Sequence, residues 1–289
     1  MNRIDLHLHS CHSDGILTPA QVASMAADQG LTAIALADHD TVSGIDECIA
    51  SGELHRVEVI PAVELSVEYE GYRDIHLLGY FIDHRDMSFL EKLEQFRVRR
   101  MQRGAEIIER INEKLKREGK ACISYADVLT QSVEALGRPH IARVLVAQGC
   151  ASSMEDAFDK YLIPCDVPKL YFPLHEAICE IRRIGGVSVL AHPTSITRDR
   201  SLLRELLIAF AGLGLDGVEA YNTLCSADER DFLLGIARHY RLAVTGGSDF
   251  HGNEDDDRMG IDGNRGPITY ELVQKLKERL DEGRAAMGT

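Results

Sequence analysis

The stretch Asp5-Leu6-His7-Leu8-His9-Ser10, with Asp14-Gly15 close behind, decides how this chain is read. A β-strand sends successive side chains to opposite faces, so His7 and His9 share one face while Leu6 and Leu8 take the other. Two imidazoles on one face, with a carboxylate nearby, form a clamp for a metal ion. The same donors recur at Asp38-His39-Asp40, Glu64, His76, Ala191-His192-Pro193 and Ser248-Asp249-Phe250-His251. That distribution predicts a metal site assembled from the ends of many strands.

Working outward, short apolar runs rich in β-formers alternate with helical stretches. Strands are expected over Arg3–His9, Ala33–Ala37, Val57–Ala62, Ile75–Phe81, Val187–Ala191, Gly217–Ala220 and Leu242–Thr245. Thr18-Pro19 opens a helix with an N-cap and a first-turn proline, and that helix runs through Gln29 to stop at Gly30. Leu174–Ile184 and Ser226–Tyr240 fill two later gaps. Alternation of this kind predicts an α/β protein with a largely parallel sheet. On that map His7 and His9 finish the first strand, Asp38-His39 follow the second, Glu64 follows the third, and His192 and Asp249-Phe250-His251 follow later ones. His76 lies inside its strand. Polar residues gathered at the carboxyl ends of successive strands favour a distorted (β/α) barrel over an open doubly wound sheet. Neither GxGxxG nor GxxxxGK[ST] follows any strand, which counts against a nucleotide-cofactor fold.

From about Phe89 to Tyr171 the alternation breaks and the sequence is mostly helical. Met101, Ala105, Ile108, Ile111 and Leu115 keep an apolar stripe at helical spacing. Around it stand Arg97, Arg99, Arg100, Arg103, Arg110, Lys114, Lys116 and Arg117, in a chain whose formal net charge is −14. The reading is a helical insertion over residues 89–171, packed across the mouth of a barrel formed by 1–88 and 172–289. The acidic balance excludes nucleic-acid binding through a global positive field, and no DNA-binding domain, membrane contact or obligate protein partner is inferred. The seven scattered cysteines include no CxxC pair, so a disulfide framework or zinc ribbon is not expected. No signal-peptide pattern and no membrane-length apolar run are visible, and a cytoplasmic protein is expected.

Imidazole and carboxylate donors without thiolates suit Zn, Mn or Fe. Nine donors (His7, His9, Asp14, His39, Glu64, His76, His192, Asp249 and His251) exceed what one ion takes and fit two or three ions, with one carboxylate bridging. Such clusters clamp the attacking and leaving oxygens of a phosphoryl group and generate hydroxide at neutral pH, so phosphate-ester hydrolysis follows more naturally than redox chemistry.

These residues, in this order, resemble the PHP (polymerase and histidinol phosphatase) family nearly from end to end. The resemblance implies a distorted (β/α)7 barrel and two or three divalent ions. It groups His7, His9, Glu64 and Asp249 around one metal, with Glu64 bridging to a second held by His76 and His192. Asp14, His39 and His251 take the third. Hydroxide bridging two ions would attack phosphorus, with Glu64, Asp249, His140 and Asp40 as the catalytic set and Asp40 orienting ligands from behind. Arg100-Met101-Gln102-Arg103, Gly137-Arg138-Pro139-His140-Ile141-Ala142-Arg143 and Lys160-Tyr161-Leu162 are similar to segments of bacterial enzymes that cleave the 3′-phosphate of nucleoside 3′,5′-bisphosphates, some of which trim short RNA from its 5′ end. By that likeness Arg100, Arg103 and Arg138 grip a 5′-phosphate, and His140 contacts the scissile phosphate or acts as general acid. Where relatives carry a Gly-Lys pair before an aromatic, this chain reads Ile163-Pro164-Cys165-Asp166-Val167-Pro168-Lys169-Leu170-Tyr171, with Lys169 as the substitute cation.

Two other readings compete. One is a phosphatase for a different small monoester, such as histidinol phosphate. The other is a non-catalytic, metal-loaded regulatory module. His12, His55, His84, His175 and His239 are read as ordinary surface or core histidines, and Arg97, Arg99, Arg110 and Arg117 as a solvated helix face. Cys11 is a bystander to the clamp, and Asp255–Asp257 is a solubilising loop.

Overall fold

The computed structural model describes residues 2–129, 137–253, 258–264 and 266–287. The acidic triplet Asp255–Asp257 lies outside the described residues. The first half runs β1 (Arg3–Leu8), α1 (Pro19–Asp28), β2 (Leu31–Leu36), α2 (Ile45–His55), β3 (Glu58–Tyr69) and β4 (Tyr72–Tyr80). A helical block follows: α3 (Met87–Arg117), α4 (Tyr125–Leu129), α5 (Arg138–Ala147), α6 (Met154–Ala157) and a π-helical turn, Phe158–Leu162. The chain then returns through β5 (Phe172–Pro173), α7 (Leu174–Arg183), β6 (Val187–Leu190), α8 (Arg200–Gly212), β7 (Gly217–Asn222), α9 (Ala227–Tyr240), β8 (Ala243–Gly247) and α10 (Glu271–Met287).

Local chemistry accounts for the helix ends. Thr18 caps α1 with a reciprocal Gln21 bond and Pro19 at the first turn, and Gly30 just beyond α1 takes φ +74°. Ser226 and Glu229 make the same box at α9. Asp86 caps the 31-residue α3 by accepting from Phe89 N–H at 2.9 Å.

The sheet order is β1-β2-β3-β4-β6-β7-β8, with β5 beside β3. This is a mixed sheet, not the largely parallel one expected: β4 runs antiparallel to both β3 and β6. The cause is the two-residue turn Glu70-Gly71, whose φ values of +46° and +90° suit a tight hairpin and leave no room for a crossover. For the same reason Glu64 does not follow a strand. It lies within β3, and its neighbour His76 lies within β4, two positions apart in the ladder. Beyond β8 the chain bonds to β1, through His9 N–H to the Phe250 carbonyl at 2.9 Å and Phe250 N–H to the His7 carbonyl at 3.3 Å. The strict alternation expected of β1 also bends. A register shift between Asp5 and Leu8 sends Leu6 into the cluster with Ile60, Leu78 and Tyr80, and Leu8 into that with Val22 and Ile34.

Apolar side chains on β3, β4, β6 and β7 pack against α7, α8 and α9, together with Phe89 and Leu93 from the start of α3. The rest of the helical block has its own cluster around Ile107, Ile111, Leu115, Leu145 and Tyr161. On α3, Ile107 and Gly104 are buried and Ala105 is exposed, so the stripe is rotated from the one expected. Among the described residues no helix is long and apolar enough to cross a membrane.

Candidate metal centre

Several strand ends are turned sharply. Asp40, His192 and Asp249 stand just beyond β2, β6 and β8 with φ of +53°, +25° and +59°, a conformation that non-glycine residues rarely hold without a surrounding structure that enforces it. Asp249 and His192 thereby meet His9, just beyond β1, and His7 within it, while Asp40 turns to Ser66 and Arg100.

Glu64 is the hub. Its Oε1 lies 3.1 Å from His76 Nδ1, 3.1 Å from His192 Nε2 and 3.3 Å from His7 Nε2, while Oε2 lies 2.8 Å from His39 Nδ1 and 3.4 Å from His9 Nε2. Asp249 Oδ1 adds contacts of 3.0 Å to His9 Nε2 and 3.4 Å to His7 Nε2. Asp14 approaches His251 Nε2 at 3.2 Å, His39 Nε2 at 3.7 Å and His9 Nδ1 at 3.8 Å. All nine sequence-predicted donors therefore come together. Eight of them form three overlapping groups whose ligand atoms lie within 4.8 Å of one another: His7, His9, Glu64 and Asp249; His9, Asp14, His39 and His251; and His39, Glu64 and His76; His192 joins through Glu64 Oε1.

The electrostatics fit a cation site. Burial opposes ionisation of Glu64, but His39, His76 and His7 outweigh it and hold the carboxyl well below its usual range. Asp249 and Asp14 are held down in the same way by their histidines. Conversely, burial pushes His76 down to about 4, leaving it a neutral donor, whereas Asp14 and Asp249 lift His251 to about 10 against its burial. Three carboxylates packed among histidines in a dry pocket need positive charge, and divalent ions supply it as well as protons do. The buried His7 Nε2 makes no hydrogen bond among the described residues although it faces the group. The residues present thus fit divalent ions bound by N and O donors.

A second layer sets their orientation. Glu219 on β7 accepts from His7 Nδ1 at 3.0 Å and from the backbone N–H of His192 at 2.8 Å, so it fixes the His7 imidazole and the turn that carries His192 at once. It was not anticipated from the sequence. The only signal was a charged residue inside the short apolar run Gly217–Ala220. Asp38 accepts from Ser10 N–H, Ser10 Oγ and Ser13 Oγ, and Asp5 from the N–H groups of His7, Ser248 and Gly260, so both carboxylates hold the loops that carry the donors.

Beside the cluster lies a patch of cations. Asp40 accepts from Ser66 N–H and Oγ at 2.8 and 2.9 Å, pairs with Arg100, and donates its own N–H to the Glu64 carbonyl. Lys169 donates to Ser66 Oγ at 2.6 Å, and burial, reinforced by Arg100, pushes it down to about 8. Arg103, almost fully buried, donates to Asp166 Oδ1 at 2.6 Å, and Arg138 Nη1 is 3.6 Å from Asp166 Oδ2. Asp74 accepts from Tyr171 Oη at 2.8 Å, and against its burial that hydrogen bond, with Lys169, Arg138 and His76, holds its carboxyl below its usual value. His140 is buried on α5. Its Nδ1 accepts from Gly137 N–H at 3.0 Å, which puts its proton on Nε2, and burial drops it to about 4. Of the arginines read as a solvated face, Arg97, Arg99 and Arg117 pair with glutamates of α3, but Arg110 reaches the Asp166 carbonyl at 2.5 Å because the loop folds back over α3.

The PHP domain family matches residues 5–163. The 3′,5′-nucleoside bisphosphate phosphatase of Chromobacterium violaceum is 32% identical over 286 residues, 97% of this chain and 98% of its own. The 5′-3′ exoribonuclease Rnm of Escherichia coli is 37% identical over 254 residues, covering 86% of this chain and 84% of its own. A solved structure from Bifidobacterium adolescentis, named for metal-dependent phosphoesterase chemistry, superposes with a TM-score of 0.84 at 31% identity over 96% of both chains. With its histidines and carboxylates gathered as such chemistry requires, the chain belongs to the PHP domain family and is a metal-dependent phosphoester hydrolase.

Proposed function

We propose that the substrate carries two phosphates: the enzyme hydrolyses the 3′-phosphate of a nucleoside 3′,5′-bisphosphate and trims short RNA from a phosphorylated 5′ end. The observation that carries this reading is the cation patch of Arg100, Arg103, Arg138 and Lys169, joined to the metal-binding cluster through Asp40 and Glu64. A substrate with one phosphate would leave those charges without a ligand. Guanidinium forks pair bidentately with phosphate oxygens, and Lys169 adds a compact charge where relatives carry Gly-Lys. The names of the Chromobacterium and Escherichia relatives agree with this chemistry.

The same reading closes the sheet into a distorted (β/α)7 barrel through the β1 and β8 contacts, with 89–171 as a cap over its mouth. It assigns His7, His9, Glu64 and Asp249 to one ion, His76 and His192 with a shared Glu64 to a second, and Asp14, His39 and His251 to a third. Mn, Zn and Fe are the candidate ions. When bound, such ions activate water and neutralise developing charge on the phosphoryl oxygens. The chain's own residues position the reaction. The arginines and Lys169 hold the distal phosphate and so orient the scissile one. Asp40 fixes Arg100 against the Glu64 backbone. His140, neutral and with its Nε2–H unpaired among the described residues, contacts a phosphoryl oxygen. A neutral imidazole keeps its proton at pH 7, which favours that role over general acid.

The test is phosphate release from adenosine 3′,5′-bisphosphate beside AMP and histidinol phosphate, with added Mn²⁺. The bisphosphate is expected to be preferred, and Arg138→Ala to raise its KM by about tenfold. Release from histidinol phosphate alone, indifferent to Arg138→Ala, overturns the substrate assignment.

A further inference from the structure

The loop after the π-helical turn carries a carboxylate into the cation patch. The two oxygens of Asp166 are divided between two guanidiniums, Oδ1 on Arg103 and Oδ2 toward Arg138, which is how an arginine pair meets a phosphate. Among the described residues its side chain meets no other partner, and it is 40% exposed. Asp40 differs, because Ser66 binds both its oxygens and anchors it. Nor does the loop depend on the Asp166 side chain. Arg103 Nε donates to the Val167 carbonyl at 2.6 Å, Arg110 to the Asp166 carbonyl, and Cys165 N–H to the Tyr161 carbonyl at 3.0 Å, while Cys165 and Val167 are buried. The carboxylate is therefore free to swing out while the backbone stays. A buried guanidinium without a counter-charge is costly, and Asp166 supplies one to Arg103.

We propose that Asp166 is a resident counter-ion that competes with the ligand's distal phosphate for Arg103 and Arg138, so that a ligand is held only to the extent that its charge exceeds the one it displaces. The reason is charge. A monoester dianion replaces one negative charge with two and gains attraction from both arginines. A diester monoanion exchanges one charge for another and gains little. This inference rests on the two-phosphate reading above.

The test compares AMP with its 5′-methyl phosphate ester, a monoanion, as inhibitors of adenosine 3′,5′-bisphosphate hydrolysis. Wild type, Asp166→Asn, Asp166→Ala and Arg138→Ala are measured with Mn²⁺, each normalised to turnover of p-nitrophenyl phosphate by the same preparation. AMP is expected to bind wild type about tenfold more tightly than the ester, and both Asp166 variants to tighten AMP and the ester by a similar factor of about threefold while lowering KM for the bisphosphate. A KM that is higher or unchanged in both Asp166 variants overturns the counter-ion, a higher one making Asp166 a brace for the arginines. If Arg138→Ala also leaves KM for the bisphosphate at the wild-type value, the two-phosphate reading itself has failed. If Arg138→Ala raises KM and the Asp166 variants do not lower it, only the counter-ion has failed.

Discussion

Lys169 shows how a single residue ties burial to function. Burial, and then the neighbouring Arg100, depress it to about 8 from a usual 10.5. It is therefore charged below that pH and neutral above it, and its attraction for phosphate is lost as pH rises through about 8. The same shift stabilises the fold with rising pH between about 8 and 10.5, because there the unfolded chain binds the extra proton. A fall in affinity in that window is thus separable from unfolding. KM for adenosine 3′,5′-bisphosphate is expected to rise about threefold or more above pH 8, and the rise to vanish in Lys169→Met. A profile that Lys169→Met leaves unchanged would remove Lys169 from the binding patch. At this scale the metal donors were legible, because His, Asp and Glu in strand context carry a recognisable chemistry. Glu219 was not, because a lone glutamate in a strand is marked only by the His7 and His192 that it meets in space.

Among the elements, the junction of β1 and β8 holds the site together. A Cβ at Gly247 would sit 2.5 Å from the His7 backbone nitrogen and closer still to the His7 side chain. Backbone cannot yield there as a flexible side chain would, so Gly247→Ala must push β1 and its histidine pair away from β8. The expected cost is about 3 kcal/mol of stability together with weakened metal binding, read by thermal unfolding and by metal content after dialysis. Wild-type stability and full metal content would show that the two strands tolerate separation. The helices were well marked by their caps, as at Thr18-Pro19 and Ser226. The β3–β4 hairpin was not, because Glu70-Gly71 is a weak turn signal and fully buried strands lack the alternation that marks half-buried ones.

For the whole molecule, the cluster of buried carboxylates and histidines links folding to metal. Ions that bind the folded chain and not the unfolded one add stability by mass action, about 2.7 kcal/mol when free metal exceeds its Kd a hundredfold. Removing metal with EDTA is expected to lower the thermal midpoint by about 5 °C and to abolish hydrolysis, and adding Mn²⁺ back should restore both. An unchanged midpoint with activity lost would mean that the site is held open by the scaffold alone.

By itself, the sequence determined the class of chemistry and the frame for it. Hard and borderline donors repeat at intervals that match strands, and no thiolate or phosphate loop offers an alternative, so composition and spacing were enough for an α/β metal-dependent phosphoesterase. Only the tertiary structure decided which way β4 runs, that Glu64 reaches five histidines from within a strand, that Glu219 fixes the His7 imidazole and the turn that carries His192, and that Asp166 occupies the arginine pair. Those are contacts between residues far apart in the chain. They are set by packing, by burial of charge and by the closing of one strand on another, none of which leaves a local mark in the order of residues.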